Sequence, residues 1–369
     1  MSKDLNDDII ARMNRTDITP IFQALLAAFL FGASAPISKL LLAEIEPISL
    51  AAFLYLGSGL GLLLFQIFRV NGSKATNAEA PIKKTDMGWL AGAIIAGGIA
   101  APIILLFGLR DTPGATASLL LNFEGIATTL IAAMVFKEAV GRRAWWAIFA
   151  ITIASILLSL NLNEEWGISW GAVAILAACV FWGIDNNFTR NISAKNPISI
   201  VMIKGLVAGS FSLILTMILG NWLPDLGTAI KAMLLGSLSY GLSITLFIRA
   251  MRGLGAARTS ALFGTAPLAG VALSFWLLQE SVTMMFLVAL PLMIVGALLL
   301  VYEEHGHNHI HEAITHEHLH RHDDEHHNHT HDEAEFGLTH SHRHKHGGFE
   351  HAHHHMPDIH HRHTHASEV

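Results

Sequence analysis

Between Ile21 and Tyr302 the chain is a succession of apolar runs separated by polar breaks. A run of about 20 apolar residues crosses a bilayer core of about 30 Å as a helix. Ten runs of that kind are present: Ile21–Ala43, Ile48–Arg69, Met87–Leu109, Gly114–Phe136, Arg143–Asn161, Ile168–Arg190, Ile198–Leu219, Ala229–Ala250, Ala257–Leu278 and Val282–Tyr302. Helix stops such as Glu46-Pro47, Asp111-Thr112-Pro113-Gly114, Asn196-Pro197 and Pro224-Asp225 mark the connections. Only Val70 to Asp86 is longer. The pattern predicts an all-α integral membrane protein whose successive helices run antiparallel. Residues 1–20 read as a polar lead-in rather than a cleaved signal, because a full-length run and further spans follow.

Charge sets the expected orientation. With the N-terminus in the cytoplasm, fifteen Lys and Arg fall on cytoplasmic ends or loops, among them Arg69, Lys83, Arg142 and Arg190. Only Lys39, Arg110 and Lys231 fall near the other face, and Lys204 lies inside a span. This positive-inside bias predicts a multi-pass protein of the cell membrane with both termini cytoplasmic.

The chain also repeats. Pro47-Ile48-Ser49 recurs as Pro197-Ile198-Ser199, and Phe31 with Phe181 and Gly59 with Gly209 keep the same offset. Gly114-Ala115 matches Gly255-Ala256, and Lys137-Glu138 matches Gln279-Glu280. Five helices per half invert the second copy relative to the first, and inverted repeats place a transport site where the halves meet. The expected organisation is a lead-in (1–20), a first repeat (21–162), a second repeat (163–302) and a tail (303–369).

Within this frame Glu124 is the costliest residue. It sits near the middle of a span, where a carboxylate costs at least about 2.5 kcal/mol and marks function by default. Drawn as one continuous helix, Ser118, Asn122, Gly125 and Thr129 form a polar stripe with Glu124 and Thr128 on its flank. Leu119, Phe123, Ile126 and Leu130 fall on the opposite, lipid-facing side. Asp185, Asn186 and Asn187 are poor helix formers placed together in the sixth span, where they line a cavity or break the helix. Asp185 and Lys204 can reach one another, as a substrate site or as an ion pair holding two helices together. Tyr240 offers a hydroxyl. These residues, Glu124, Asn122, Asp185, Asn186, Asn187, Lys204 and Tyr240, are the candidates for substrate binding and coupling. Trp89, Trp145, Trp146, Trp166, Trp170 and Trp222 stand near span ends as interface anchors.

Two five-helix halves, each with Gly-Ala opening its fourth helix and Glu closing it (Gly114 to Glu138, Gly255 to Glu280), resemble the EamA-type branch of the drug/metabolite transporter superfamily. The resemblance runs from about Ile21 to Tyr302. It implies ten helices in two inverted repeats, alternating access, and export or exchange of small organic molecules. Members often carry a proline in the middle of the fourth helix of each half. Pro267 fits that pattern, whereas Glu124-Gly125 stands in its place in the first half. The family's glutamate at the end of this helix matches Glu138 and Glu280, taken as helix-end or gating groups.

Composition separates the tail from the rest. All 24 histidines lie between His305 and His365. The tail holds 13 acidic against 4 basic residues, the remainder 16 against 19. That acidic end argues against a nucleic-acid partner. With few apolar residues the tail is expected to be disordered. Its His-x-His alternation, through His305, His307, His309, His311, His316, His318, His320, His322, His326, His327, His329 and His331, suits Zn²⁺, Ni²⁺, Co²⁺ or Cu²⁺. The single cysteine, Cys179, excludes an internal disulfide or a thiolate cage.

No nucleotide-binding loop and no nucleophile–base arrangement stands out, so an enzyme is not expected and no cofactor is required. Three readings follow: a secondary transporter of small organic solutes with a metal-binding tail, a divalent-metal transporter whose tail collects or senses the ion, and a membrane-tethered metal buffer. The expected partners are the lipid bilayer, a small-molecule substrate and divalent metal ions, with a homodimer left open.

Overall fold

The computed structural model describes residues 18–70, 80–136, 141–161, 167–192, 195–254, 259, 262–301, 305–310, 315–321, 339–345 and 350–355. The first half contains α1 (Ile18–Gly32), α2 (Ser34–Leu41), α3 (Pro47–Val70), α4 (Met87–Ala93), a π-helical segment (Ile94–Ala100), α5 (Ala101–Asp111), α6 (Gly114–Leu120), α7 (Phe123–Val135) and α8 (Arg142–Ser159). The second contains α9 (Trp170–Asn191), α10 (Pro197–Ile218), α11 (Leu226–Gly236), a second π-helical segment (Ser237–Leu242), α12 (Ser243–Leu254), α13 (Ala266–Leu278) and α14 (Met284–Val301). Short strands β1 (Leu160–Asn161) and β2 (Gly167–Ile168) pair between the halves.

Among the described residues eight helical stretches are long and apolar enough to cross a membrane, from Thr19–Leu41 to Leu226–Ala250. Two shorter apolar helices, Ala266–Leu278 and Met284–Leu299, follow. The exposed tryptophans, Trp145, Trp146, Trp170 and Trp222 among them, lie near span ends, as expected of interface anchors.

The helices pair across the halves in a two-fold pattern. α3 packs on α10, α8 on α14, and α6 on α13. The α1–α12 contact in one sense has its counterpart in α5–α9 in the other. Glycine permits the close crossing of α3 and α10. A Cβ on Gly59 would stand 2.7 Å from the Leu206 nitrogen, and one on Gly209 would stand 2.5 Å from the Leu56 nitrogen. Gly59 maps onto Gly209 and Leu56 onto Leu206 by the interval that separates the two Pro-Ile-Ser motifs. The contact is therefore its own image under exchange of the halves, and its partners run antiparallel. That is the packing of an inverted repeat, with small residues letting backbones approach.

Breaks also recur. The interval from Ile94 to Ser237, the starts of the π-helical segments, equals that from Phe123 to Ala266, the starts of α7 and α13. The fourth helix of the first half is thus two half-helices turned at Leu121-Asn122, and an equivalent turn at Gly264-Thr265 precedes α13.

Two expectations are corrected. The Leu119–Ile126 side of the fourth span does not face lipid, since both residues are fully buried, while Gly125 is exposed. The turn at Leu121-Asn122 restarts the helix, so a single 100° wheel does not run through it. The tail, expected to be disordered, contains strands β3 (His305–Ile310), β4 (Thr315–Arg321), β5 (Thr339–Lys345) and β6 (Glu350–His355), paired β3–β6 and β4–β5. Alternation with period two suits a strand, and a ladder needs only backbone hydrogen bonds. Glu138, Trp166, Gly255-Ala256, His311, His322, His326, His327, His329 and His331 lie outside the described residues.

Gly59→Val should lower the unfolding midpoint of the detergent-solubilised protein, by an overpacking cost of about 1–3 kcal/mol. Gly88→Ala, where a Cβ meets nothing within 4 Å, should leave the midpoint unchanged or raise it. Equal effects at the two sites would remove the crossing from the account.

Candidate functional site

Pro102 explains the first π-helical segment. Proline has no N–H to give, and the Ala101 N–H reaches back to the Ala96 carbonyl rather than to Gly97. The Gly97 carbonyl is left without a partner in its own helix. It accepts instead from the Tyr55 hydroxyl at 2.7 Å and from Trp182 Nε1 at 3.1 Å. One freed carbonyl therefore ties α3 and α9 to the third span.

The missing side chain of Gly97 does a second thing. A Cβ there would fall on the Asp185 carboxylate, so Asp185 packs against this segment only because residue 97 is glycine. Asp185 bonds to Lys204 and accepts from Thr189 Oγ1 at 3.0 Å. The pair expected from the sequence is present and largely withdrawn from solvent, with side-chain exposures of 5% for Asp185 and 17% for Lys204.

Glu124 lies in the first turn of α7, where the helix dipole favours a carboxylate. Its Oε1 accepts from Asn186 Nδ2 at 2.9 Å, and the same amide reaches Thr128 Oγ1 at 3.1 Å. Asn187 Nδ2 donates to the Thr128 and Gly183 carbonyls. Glycine at 183 lets α9 pack closely on α7: a Cβ there would stand 2.9 Å from the α7 backbone at Ala127 and Thr128. Asn186 is exposed and Glu124 half-buried, whereas Asn187 is buried. The two asparagines thus divide their work: Asn187 holds α9 to α7, and Asn186 meets Glu124 at an open surface. Glu124 also feels the charges of Asp185 and Lys204. Asn122 stands apart from this group, its Nδ2 donating to the Leu119 carbonyl at the end of α6.

An aromatic wall completes the site. The Tyr240 ring stacks on Tyr55 at 5.8 Å and meets Phe31 edge-on at 6.0 Å, and Phe31 in turn packs on Phe263. Tyr240 belongs to the second π-helical segment, at the position equivalent to Gly97 in the first. Sequence reasoning missed Tyr55. Its signal was rarity: the chain has 3 tyrosines, and two of them meet here.

At one end of the bundle, charged groups cap helices. Lys39 Nζ donates to the carbonyls of Leu109 (2.8 Å), Arg110 (3.3 Å) and Thr112 (2.6 Å) at the end of α5. The Glu280 carboxylate accepts from the Gly114 N–H at 2.5 Å and the Ala115 N–H at 2.8 Å, at the start of α6. Glu280 follows α13, so this contact joins the fourth helices of the two halves. Nearby, a hydrogen bond from Thr228 and then the Lys231 ammonium hold the Glu44 carboxyl below its usual range.

Gly97→Ala should displace the Asp185 carboxylate and strand Lys204, a loss of about 3–5 kcal/mol in unfolding measurements. In an Asp185→Ala/Lys204→Met background the same change should cost little. A loss of equal size in both backgrounds would show that the carboxylate does not depend on residue 97.

The comparisons with known proteins agree with this architecture. The EamA-like transporter family matches residues 18–160 and 169–302. The chain is similar to an uncharacterized transporter of Methanothermobacter thermautotrophicus, 28% identical over 286 residues, which are 74% of this chain and 83% of that protein. It is also similar to the uncharacterized inner membrane transporter YedA of Escherichia coli K12, 23% identical over 218 residues, or 58% of this chain and 67% of YedA. A solved crystal structure superposes with a TM-score of 0.55 at 17% identity, covering 75% of this chain and 94% of its own, and shares the fold. Two matched stretches, one for each inverted half, cover most of the chain, which therefore belongs to the EamA-like transporter family of multi-pass membrane proteins.

Proposed function

We propose that the chain is a secondary active transporter that exports or exchanges a small organic solute by alternating access, with Glu124 as its coupling group. The observation that carries this reading is the placement of Glu124. It opens a half-helix near mid-span, is half-buried, and meets Asn186 of the other half across the interface of the repeats. An ionisable group at that depth is costly, and such groups mark substrate, ion or proton pathways. Its neighbours Asp185, Lys204 and Asn186 supply charge and hydrogen bonds, and Tyr240 with Tyr55 supplies an aromatic surface, a lining suited to a polar organic molecule.

On this reading all ten apolar segments span the membrane, Ala266–Leu278 and Met284–Leu299 included. The positive-inside bias places both termini in the cytoplasm. Glu280, bound across the fourth helices, is a gating contact that separates when its end of the pathway opens. The tail takes no part in the pathway and binds divalent metal through its histidines.

The test is flux in sealed vesicles against a panel of labelled metabolites, amino acids, Ni²⁺, Co²⁺ and Zn²⁺. An organic solute should move and the metals should not. Glu124→Gln should reduce pH-gradient-driven flux by at least tenfold with normal expression, while solute counterflow persists. Unaltered gradient-driven flux in that variant would remove the coupling role. Glu124-dependent metal flux would replace the organic substrate with a divalent ion.

A further inference from the structure

The charges at the centre of the bundle do not add up to zero. Asp185 of α9 and Lys204 of α10 are bonded to one another and largely withdrawn from solvent, so each cancels the other. They are also the charged groups that act on Glu124. The other helix packed on α7, α8, begins at Arg142 and Arg143, beside the Val135 end of α7 and away from Glu124. Asn186 gives Glu124 a hydrogen bond but no charge. It reaches Oε1 and leaves Oε2 without a hydrogen-bond partner among the described residues. One negative charge near mid-span therefore has no counter-charge of its own.

The neighbouring surface suits a cation. Glu124 acts electrostatically on both Tyr55 and Tyr240, so the carboxylate and the aromatic wall belong to one region of the bundle. The two hydroxyls are occupied: Tyr55 donates to the Gly97 carbonyl, and Tyr240 is hydrogen-bonded with Ser34. What the wall has to offer is ring. It continues from Tyr55 through Tyr240, Phe31 and Phe263 to Phe247, whose ring meets that of Phe263 at 4.8 Å. All but Tyr55 are only half-buried. Aromatic faces carry negative potential and attract a cation within about 6 Å of the ring centre.

The alternatives fit less well. A neutral solute would leave the Glu124 charge unpaired inside the membrane, which is costly, and an anion would add to it. A divalent metal ion would find one free carboxylate among aromatic rings, too few donors for its coordination shell.

We infer that the transported solute is an organic monocation with an apolar or aromatic body, and that it shares Glu124 with a proton. The inference rests on the reading of Glu124 as the coupling group of a secondary transporter, and it adds the charge and the shape of the solute. One carboxylate holds one monocation or one proton. The solute crosses in one direction as a cation and the proton returns in the other, so charge balances over the cycle. Proton and solute then compete, and each weakens the binding of the other by the same factor.

The experiment uses the full-length protein in lipid nanodiscs and three probes of similar size: benzyltrimethylammonium, N-benzylacetamide and phenylacetate. Binding is followed by calorimetry in two buffers of different ionisation heat, which counts the protons released. The cation should bind tighter than the other two by about tenfold or more. Its affinity should rise with pH, and at acid pH it should displace a proton. Glu124→Gln should weaken it by about tenfold or more and abolish proton release. Tyr240→Leu should weaken it several-fold with proton release intact. The comparison of probes on the wild type holds whether or not a variant folds. Absence of cation binding, or binding of the amide or the anion as tight as that of the cation, would overturn the monocation and leave the transporter reading to its flux test. Cation binding that Glu124→Gln leaves unaltered would overturn the shared site. Absence of organic-solute flux in sealed vesicles would overturn both readings.

Discussion

Everything in this molecule turns on one rule of the bilayer: a backbone N–H or C=O inside it has to find a partner within the protein. An unbroken α-helix meets the rule by itself. This chain departs from unbroken helix at matched places in its two halves, through π-helical segments in the third and eighth spans and turns in the fourth span and before α13. Departures of this kind open backbone groups to side chains of other helices. The Gly97 carbonyl takes the Tyr55 hydroxyl and the Trp182 indole, and the Leu120 carbonyl, beside the turn of the fourth span, takes the Cys179 thiol. Satisfying the backbone is what draws polar side chains to the middle of the membrane.

The two halves share a backbone plan but not its chemistry, and the differences fall at equivalent positions. Glu124 and Pro267 each occupy the second residue of a half-helix. Gly97 and Tyr240 each lie inside a π-helical segment. In one half the pair is a carboxylate and an empty place filled by Asp185; in the other it is a rigid ring and an aromatic surface. Symmetry makes a bundle that can close at either end. The broken symmetry gives its centre a charged side and an apolar side, as a site that orients an asymmetric molecule requires.

Much of this was legible in the sequence. Apolar run length gave the spans, and the recurrence of Pro-Ile-Ser with Gly59 and Gly209 gave the inversion, because close helix crossings leave glycines behind. The cost of charge in a membrane singled out Glu124, Asp185 and Lys204 before any coordinates. The turn at Leu121-Asn122 was not legible. Neither residue is a glycine or proline, and the half-helix rests on tertiary contacts: Gly183 against α7, and Asn186 and Asn187 reaching Thr128. The π-helical segment was half legible, since Pro102 signals a lost donor but not which carbonyl goes free. The tail failed in the opposite sense. A reading that asks for an apolar core sees disorder, and misses that strict alternation can pair strands without one.

The contact at Glu280 suits the gating role proposed for it. Its two hydrogen bonds to Gly114 and Ala115 are charge-assisted, a class worth about 1.5–3 kcal/mol each. A deeply buried carboxylate would hold α6 too firmly to release, because leaving it unpaired costs several kcal/mol. Glu280 is only partly buried, so water can take over its oxygens and the two N–H groups when they part. Lys39, nearby on the α5 carbonyls, is likewise only partly buried. Strong pairing at the centre, in Asp185 and Lys204, and exchangeable pairing at the rim therefore divide the bundle into a part that persists and a part that can trade protein partners for water. The alternating access proposed for this chain would use that division, which follows from depth: the same kinds of group are fixed where water is excluded and releasable where it is not.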